Sequence, residues 1–331
     1  MRKYCCGVIM MCTAVSFVAD GHFFGRTLDY ERSYGEGVAI TPRRFPLKWR
    51  HNTVLQEHYA MIGMATMRNG YPLYYDGMNE KGLCMAGLLF AGNAVYLPPK
   101  HGYENVTSFE MIPWVLSQCS SVAEAKAFLL AVRITDTPFS ADMPSTPLHW
   151  LIADKTASLV VESFKDGIKL YDNPVGVLTN NPPFDYHLLH LTEFLQVRDT
   201  VPQNNVYSTI PLQPYSRGMG GVGLPGDYSS ASRFVRAAFV KGHMTCCMSH
   251  NENMLQFFRI LRTVEVPHGC VTLEDGSKVY SLYTSCCDVD NGVYCYMGYY
   301  DPAIIAVDMY RENLTADAVV WYPFLSSNCI P

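Results

Sequence analysis

The sequence predicts a single layered α+β domain. Strand-like runs gather in the N-terminal third and return after residue 148, which implies two sheets, and helical patterns lie between and after them. No repeat, linker or low-complexity segment divides the 331 residues, and that length is enough to bury a substantial core.

Residues 12–17 and 22–30 read as strands flanking Ala19-Asp20-Gly21, and an Asp-Gly pair between such segments is a hairpin signal. Residues 37–42, 59–64 and 83–90 are short β segments broken by Gly and Pro. Helices are expected over 108–117, with Pro113 in the first turn, and over 121–130, where Ser121 and Glu124 have capping-box spacing. Residues 148–154 and 157–163 read as strands around a Lys155-Thr156 turn, followed by a strand at 169–171. Further helices are expected over 186–197 and over 229–241, with Arg233 near the start of the latter. Strands around 279–283, 293–297 and 304–307 finish the chain. The Pro, Gly and Asn-rich stretch 201–226 reads as a long excursion suited to contacts between copies or to the rim of a site.

A net charge of −5 is spread in mixed signs, with no basic block or acidic tail. That gives no electrostatic case for nucleic acid and suits a small or amphiphilic substrate. Twelve cysteines would mark a disulfide scaffold in a short secreted chain, but this chain is long and three pairs are adjacent: Cys5-Cys6, Cys246-Cys247 and Cys286-Cys287. Together with Cys84 and Cys119 they read as reduced thiols of a cytoplasmic protein. Cys246-Cys247 with His250, and Cys286-Cys287 with Asp288, Asp290 and Cys295, collect candidate zinc ligands without the paired spacing of a structural zinc site. No metal and no other cofactor is expected.

Arg2 and Lys3 followed by a mostly apolar run to Ala19 imitate a signal peptide, and export is the rival reading of this segment. The Asp-Gly hairpin argues that the run is instead the first core strand, and no membrane association is expected. Met10 and Met11 precede Cys12, so either a propeptide cut before Cys12 or initiation at Met11 with methionine trimming leaves a domain of residues 12–331. Loss of residues 1–11 would put a thiol and a free α-amine on one residue. The amine has an ordinary pKa of about 7.7–8.0, so it can accept the thiol proton near neutral pH without a separate base.

From Cys12 onward the chain resembles the choloylglycine hydrolases, the cysteine branch of the N-terminal-nucleophile hydrolases. The likeness rests on Phe24-Gly25-Arg26-Thr27-Leu28-Asp29, on residues 59–63 and 71–83, on Val177-Leu178-Thr179-Asn180-Asn181 with the Pro-Pro-Phe184 that follows, and on residues 224–234. It covers nearly everything after residue 10. The resemblance implies a four-layer αββα sandwich, a homotetramer, and hydrolysis of glycine- or taurine-conjugated bile salts through an acyl-thioester.

Within that resemblance Cys12 is the nucleophile, Arg26 favours its thiolate, and Asp29 orients the amine and balances the ammonium it becomes. Asn180 donates to the oxyanion, with Asn181 as the one-residue alternative, and Arg233 adds electrostatic support. Bile salt hydrolases of this branch commonly carry asparagine where this chain has Leu89, which leaves the backbone N–H of Leu89 as the second oxyanion donor. Leu28, Met61, Leu89 and Phe139 are candidate walls for an apolar ring system. Penicillin V acylases are similar in fold and catalytic set, so penicillin V and acyl-homoserine lactones are alternative substrates. A chain that keeps residues 1–11 would have no free amine and would bind bile acids without turnover.

Overall fold

The computed structural model describes residues 11–206, 208–246 and 249–325; Cys5, Cys6, Met10 and Cys247, and with them the expectations about the leading segment, lie outside the described residues. The chain starts with β1 (Met11–Ala19) and β2 (Gly21–Tyr30), paired antiparallel with Ala19 opposite Gly21. Gly21 holds φ 121°, a conformation that side chains rarely adopt, so the tight reversal at Asp20 needs glycine. There follow β3 (Glu36–Thr41), β4 (Met61–Arg68), β5 (Tyr71–Tyr74), β6 (Asp76–Asn79), β7 (Cys84–Leu89) and β8 (Glu104–Thr107). Helices α1 (Met111–Leu116) and α2 (Val122–Phe128) lead to β9 (Val132–Thr135), β10 (Leu148–Ala153), β11 (Ser158–Phe164), β12 (Gly167–Asp172) and β13 (Val177–Leu178). Then come α3 (Phe184–His190), α4 (Ser230–His243), α5 (His250–Arg262), β14 (Val271–Thr272), β15 (Lys278–Asp288), β16 (Val293–Gly298), β17 (Ile305–Asp308) and β18 (Val320–Pro323).

One sheet runs β13-β1-β2-β15-β16-β17 with β14 beside β15, and the other runs β12-β11-β10-β7-β6-β4-β3-β18 with β5 beside β4. The period-two alternation of the second sheet sorts its side chains between two cores. Val38, Ile40, Ile62, Met64, Ala86 and Leu88 cluster with the first sheet, whereas Ala39, Met61, Ala65 and Met85 cluster with Trp114 and Val115 of α1 and with Val122 and Ala125 of α2. On the outer side of the first sheet, Phe234 of α4 and Phe257, Ile260 and Leu261 of α5 close the stack. The order of layers is therefore helix, sheet, sheet, helix, the αββα sandwich that the resemblance implies.

Several local details differ from the sequence expectations. Residues 250–262 had no assigned helix, yet α5 carries a full capping box: Glu252 N–H donates to Ser249 Oγ (3.3 Å) and Ser249 N–H to the Glu252 carboxylate (3.2 Å). The box of α2 is half made, since Glu124 N–H bonds Ser121 Oγ (3.2 Å) but the Glu124 carboxylate accepts from Ser120 N–H (2.7 Å) instead. The helix expected over 186–197 stops as α3 at His190, and a 3-10 turn, Leu191–Phe194, replaces its second half. Among the described residues no cluster of His, Cys, Asp and Glu could hold a metal ion, and His250 Nε2 pairs with Asp288 at 2.8 Å. Among the same residues no helix is long and apolar enough to cross a membrane.

Candidate active site

The β1–β2 register builds the centre. Cys12 lies opposite Leu28 and Ala14 opposite Arg26, so these four share the face turned to the second sheet, while Met11, Thr13, Thr27 and Asp29 share the face turned to α4. Cys12 is fully buried. Arg26 reaches across the sandwich, donating from Nη2 to Cys12 Sγ and from Nη1 to the carbonyls of Gly87 and, at 3.2 Å, Tyr75. Gly25 beside it allows β15 to come close, because a Cβ there would lie 2.0 Å from the Ser285 carbonyl oxygen.

Asp29, opposite Met11, accepts from Ser281 Oγ (2.6 Å) and Thr27 Oγ1 (3.3 Å). Asn180 follows β13, and its Oδ1 accepts from Cys12 N–H (2.9 Å) and Arg233 Nη2 (2.7 Å) while its Nδ2 donates to the Leu89 carbonyl (2.9 Å). Asn181 turns elsewhere, to the carbonyl of Ala91, so Asn180 is the asparagine that meets Cys12. Arg233 lies in the first turn of α4, where Ser229 caps the helix; its Nη1 donates to the Cys12 carbonyl and to Thr13 Oγ1 (2.7 Å). The structure thus brings Cys12, Arg26, Asp29, Asn180 and Arg233 together from β1, β2, the loop after β13, and α4.

Burial dominates the electrostatics. It pushes the Cys12 thiol up to about 11, against the pull of Arg26, with the Asp29 charge adding to the rise and the Asp29 backbone N–H and Arg233 opposing it. It likewise lifts Asp29 to about 6, although Arg233, Ser281, Thr27 and Arg26 all favour the carboxylate. Burial works against the charge of Arg26, but Cys12, Tyr283, Asp76 and Asp29 around it outweigh that and raise its pKa.

A cavity of about 700 Å3 opens here, lined by Met11, Leu89, Asn180, Tyr228, Arg233 and Cys270, among others. Leu89 is on this wall, and Leu28 packs beside Cys12 in the inter-sheet core. Met61 is not brought to the site: the alternation of β4 turns it to the α1 side of its sheet, fully buried. Phe139 lines a different cavity of about 410 Å3 with Phe45, Arg50, Tyr71 and Phe109. Two groups of residues that the sequence reading assigned no role stand behind the site. Asp76, fully buried, accepts from Tyr294 OH (2.5 Å) and Tyr283 OH (2.8 Å) and faces the charge of Arg26. His149, Glu162 and His187 bond the loop that carries Asn180. Asp76 belongs to the 71–83 motif, but nothing in a linear motif says which cation its acid faces.

The family model described as linear amide C–N hydrolases, choloylglycine hydrolase family, matches residues 12–322. The bile salt hydrolase/transferase of Lactiplantibacillus plantarum is 48% identical over 316 residues, which span 96% of this chain and 98% of that protein. The bile salt hydrolase/transferase of Clostridium perfringens is 37% identical over 320 residues, 95% of this chain and 97% of that one. A crystal structure of a variant conjugated bile acid hydrolase from Clostridium perfringens superposes with a TM-score of 0.88 at 35% identity, covering 97% of this chain and 100% of that chain. Penicillin V acylase from Agrobacterium tumefaciens shares the fold, with a TM-score of 0.75 at 20% identity over 94% of this chain and 90% of that one.

Proposed function

The chain belongs to the choloylglycine hydrolase family of linear amide C–N hydrolases, and from that membership we propose that it hydrolyses the amide bond of glycine- or taurine-conjugated bile salts with Cys12 as the nucleophile. The observation that carries the reading is the position of Cys12: one residue inside a core strand, its thiol on Arg26, its backbone nitrogen on Asn180, and the residue before it opposite Asp29. Cutting the Met11–Cys12 bond turns that backbone nitrogen into a free amine on the residue that carries the thiol, and Asp29, in the neighbouring strand opposite Met11, is the carboxylate proposed to orient it. Met11 also lines the cavity, so its departure enlarges it.

In the proposed reaction the amine takes the thiol proton, and the sulfur attacks the amide carbonyl carbon to give a tetrahedral oxyanion. Asn180 keeps one Nδ2–H on the Leu89 carbonyl and offers the other, together with the backbone N–H of Leu89, to the oxyanion. Collapse breaks the C–N bond, and the ammonium of Cys12 gives its proton to the departing glycine or taurine nitrogen. Water, deprotonated by the same amine, then hydrolyses the thioester and regenerates the thiol. Asp29 balances the ammonium throughout, and Arg233 holds Asn180 and the Cys12 carbonyl still.

Release of glycine from glycocholate and taurine from taurocholate, compared with cleavage of penicillin V and an acyl-homoserine lactone, tests the reading on protein that begins at Cys12. No cleavage of either bile salt by that protein would sink it. The acid limb of kcat/KM is set by Asp29, which must be a carboxylate to hold the ammonium. Its folded pKa lies above the ordinary carboxylate range, so activity is present above that pKa and lost as pH falls through about 6, or lower once the neighbouring ammonium draws the carboxyl down. A profile on glycocholate that stays flat below about pH 4 would remove Asp29 from this role. Val206, Ile210, Leu212 and Tyr215 stand exposed on the 201–226 excursion and support self-association, with the tetramer implied by the resemblance as the expected mass in light scattering. The buried free thiols Cys84, Cys119, Cys286 and Cys287 support a reducing, cytoplasmic setting.

A further inference from the structure

Leu89 and Asn180 come from distant parts of the chain, the end of β7 and the loop after β13, yet one buried side chain touches both segments. His149 of β10 sits opposite Leu88 in the sheet. Its ring stacks on Phe90, the residue after Leu89, with centroids 4.4 Å apart and planes 7° apart. Its Nε2 lies 2.8 Å from the carbonyl oxygen of Thr179, the residue before Asn180. A carbonyl only accepts, so Nε2 carries a proton. Nδ1 lies 3.0 Å from Glu162 Oε1, and both side chains are fully buried. The same Glu162 oxygen accepts the backbone N–H of Phe184 at 3.1 Å, which ties down the far end of the loop.

His187 completes the arrangement, its Nε2 2.9 Å from the Asn180 carbonyl, with burial pushing its pKa down to about 4 so that the ring stays neutral. A buried acid–imidazole pair that shares a proton is a poor stabiliser, because the cost of taking it out of water offsets its attraction, and apolar side chains would fill the space as well. What this pair supplies and apolar groups would not is direction: it bonds a main-chain carbonyl next to Asn180 while its ring is clamped to the strand of Leu89.

The geometry points to His149 as a positioning residue, braced by Glu162, that fixes the separation of Leu89 and Asn180 and so shapes the oxyanion site. The assignment rests on the hydrolase reading above. His149 does not touch the substrate; it acts through Thr179 and Phe90, and a shift of about 1 Å in such a donor can cost about a hundredfold in rate.

The test compares H149F, which keeps a ring for Phe90 but has no donor, with H149Q, whose amide can still donate to the Thr179 carbonyl. Turnover of glycocholate is measured on the fraction of each variant that elutes with the wild-type size and shows the wild-type circular dichroism and cooperative thermal transition, so unfolded chains do not count. H149F is expected to lose about a hundredfold in kcat with KM changed by less than about threefold, and H149Q to recover about tenfold or more of that loss. Wild-type kcat in H149F overturns the assignment, as do equal losses in both variants, which would make the site one of packing. If H149F yields no folded protein, E162M decides in its place by removing the acceptor: a kcat-selective loss supports the brace and wild-type kcat overturns it. A wild-type enzyme without turnover is seen before any variant is made, and it overturns the hydrolase reading together with this one.

Discussion

Replacing Cys12 with alanine is expected to abolish glycine release from glycocholate, by at least about ten-thousandfold, since no other group in the centre can form the acyl intermediate. Arg26, Arg233 and Asn180 are donors, and Asp29 is a buried carboxylate held by Ser281 and Thr27. The fold should survive, because alanine fits a site in which the thiol packs among Leu28 and Ala14, although Arg26 loses one acceptor and keeps its two carbonyls. C12S is the sharper variant. Its hydroxyl keeps the shape and the α-amine can still act as its general base, but a hydroxyl is far less acidic and less nucleophilic than a thiol, so a loss of about a hundredfold or more is expected. An alanine variant that retained more than about a hundredth of wild-type kcat would remove Cys12 from the chemistry.

The second large effect concerns the bond before Cys12. With that bond intact the thiol has a pKa of about 11, so at about pH 7.5 only about one molecule in several thousand carries a thiolate. A free α-amine beside it, with a pKa near 8, becomes an adjacent cation on accepting the proton and makes the thiolate a substantial species. A chain in which the recognition sequence of a site-specific protease replaces residues 1–11 can be assayed before and after the cut that frees the Cys12 amine. Both glycocholate turnover and the rate of Cys12 alkylation are expected to rise about a thousandfold or more on cutting. Equal turnover before and after would show that the amine is not the base, and an alkylation rate that does not change would show that Arg26 alone sets the thiolate.

Much of this centre was legible in the linear sequence because strands translate spacing into facing. The Asp-Gly reversal fixes which residues of β2 lie beside Cys12, so Arg26 and Asp29 could be placed from the hairpin and the motif alone. Glycines inside the motifs record close approach of backbones: a Cβ at Gly63 would come within 2.0 Å of the Asp76 carbonyl oxygen, just as one at Gly25 would meet Ser285. The choice between Asn180 and Asn181 depends on where a loop turns, and it became visible only when Asn180 Oδ1 met both Cys12 and Arg233. Met61 shows the limit from the other side, since neighbouring residues of one strand face opposite layers and a slip of one position moves a side chain through the sheet. His149 and Glu162 carried no linear signal, for they meet across β10 and β11 and act on a loop further along the chain.

Arg26 fastens the two sheets at the point where it meets Cys12, so the reacting thiol lies on the seam of the sandwich rather than in a surface loop. A partial opening there would strip a buried cation of its carbonyl partners, and no cheap local excursion separates the sheets at this place. The amide protons of the surrounding strands are therefore expected to exchange with solvent at the rate of global unfolding, which native-state hydrogen exchange would read. On heating, the capacity to react and the folded state disappear in a single step, with no inactive but still assembled form between them.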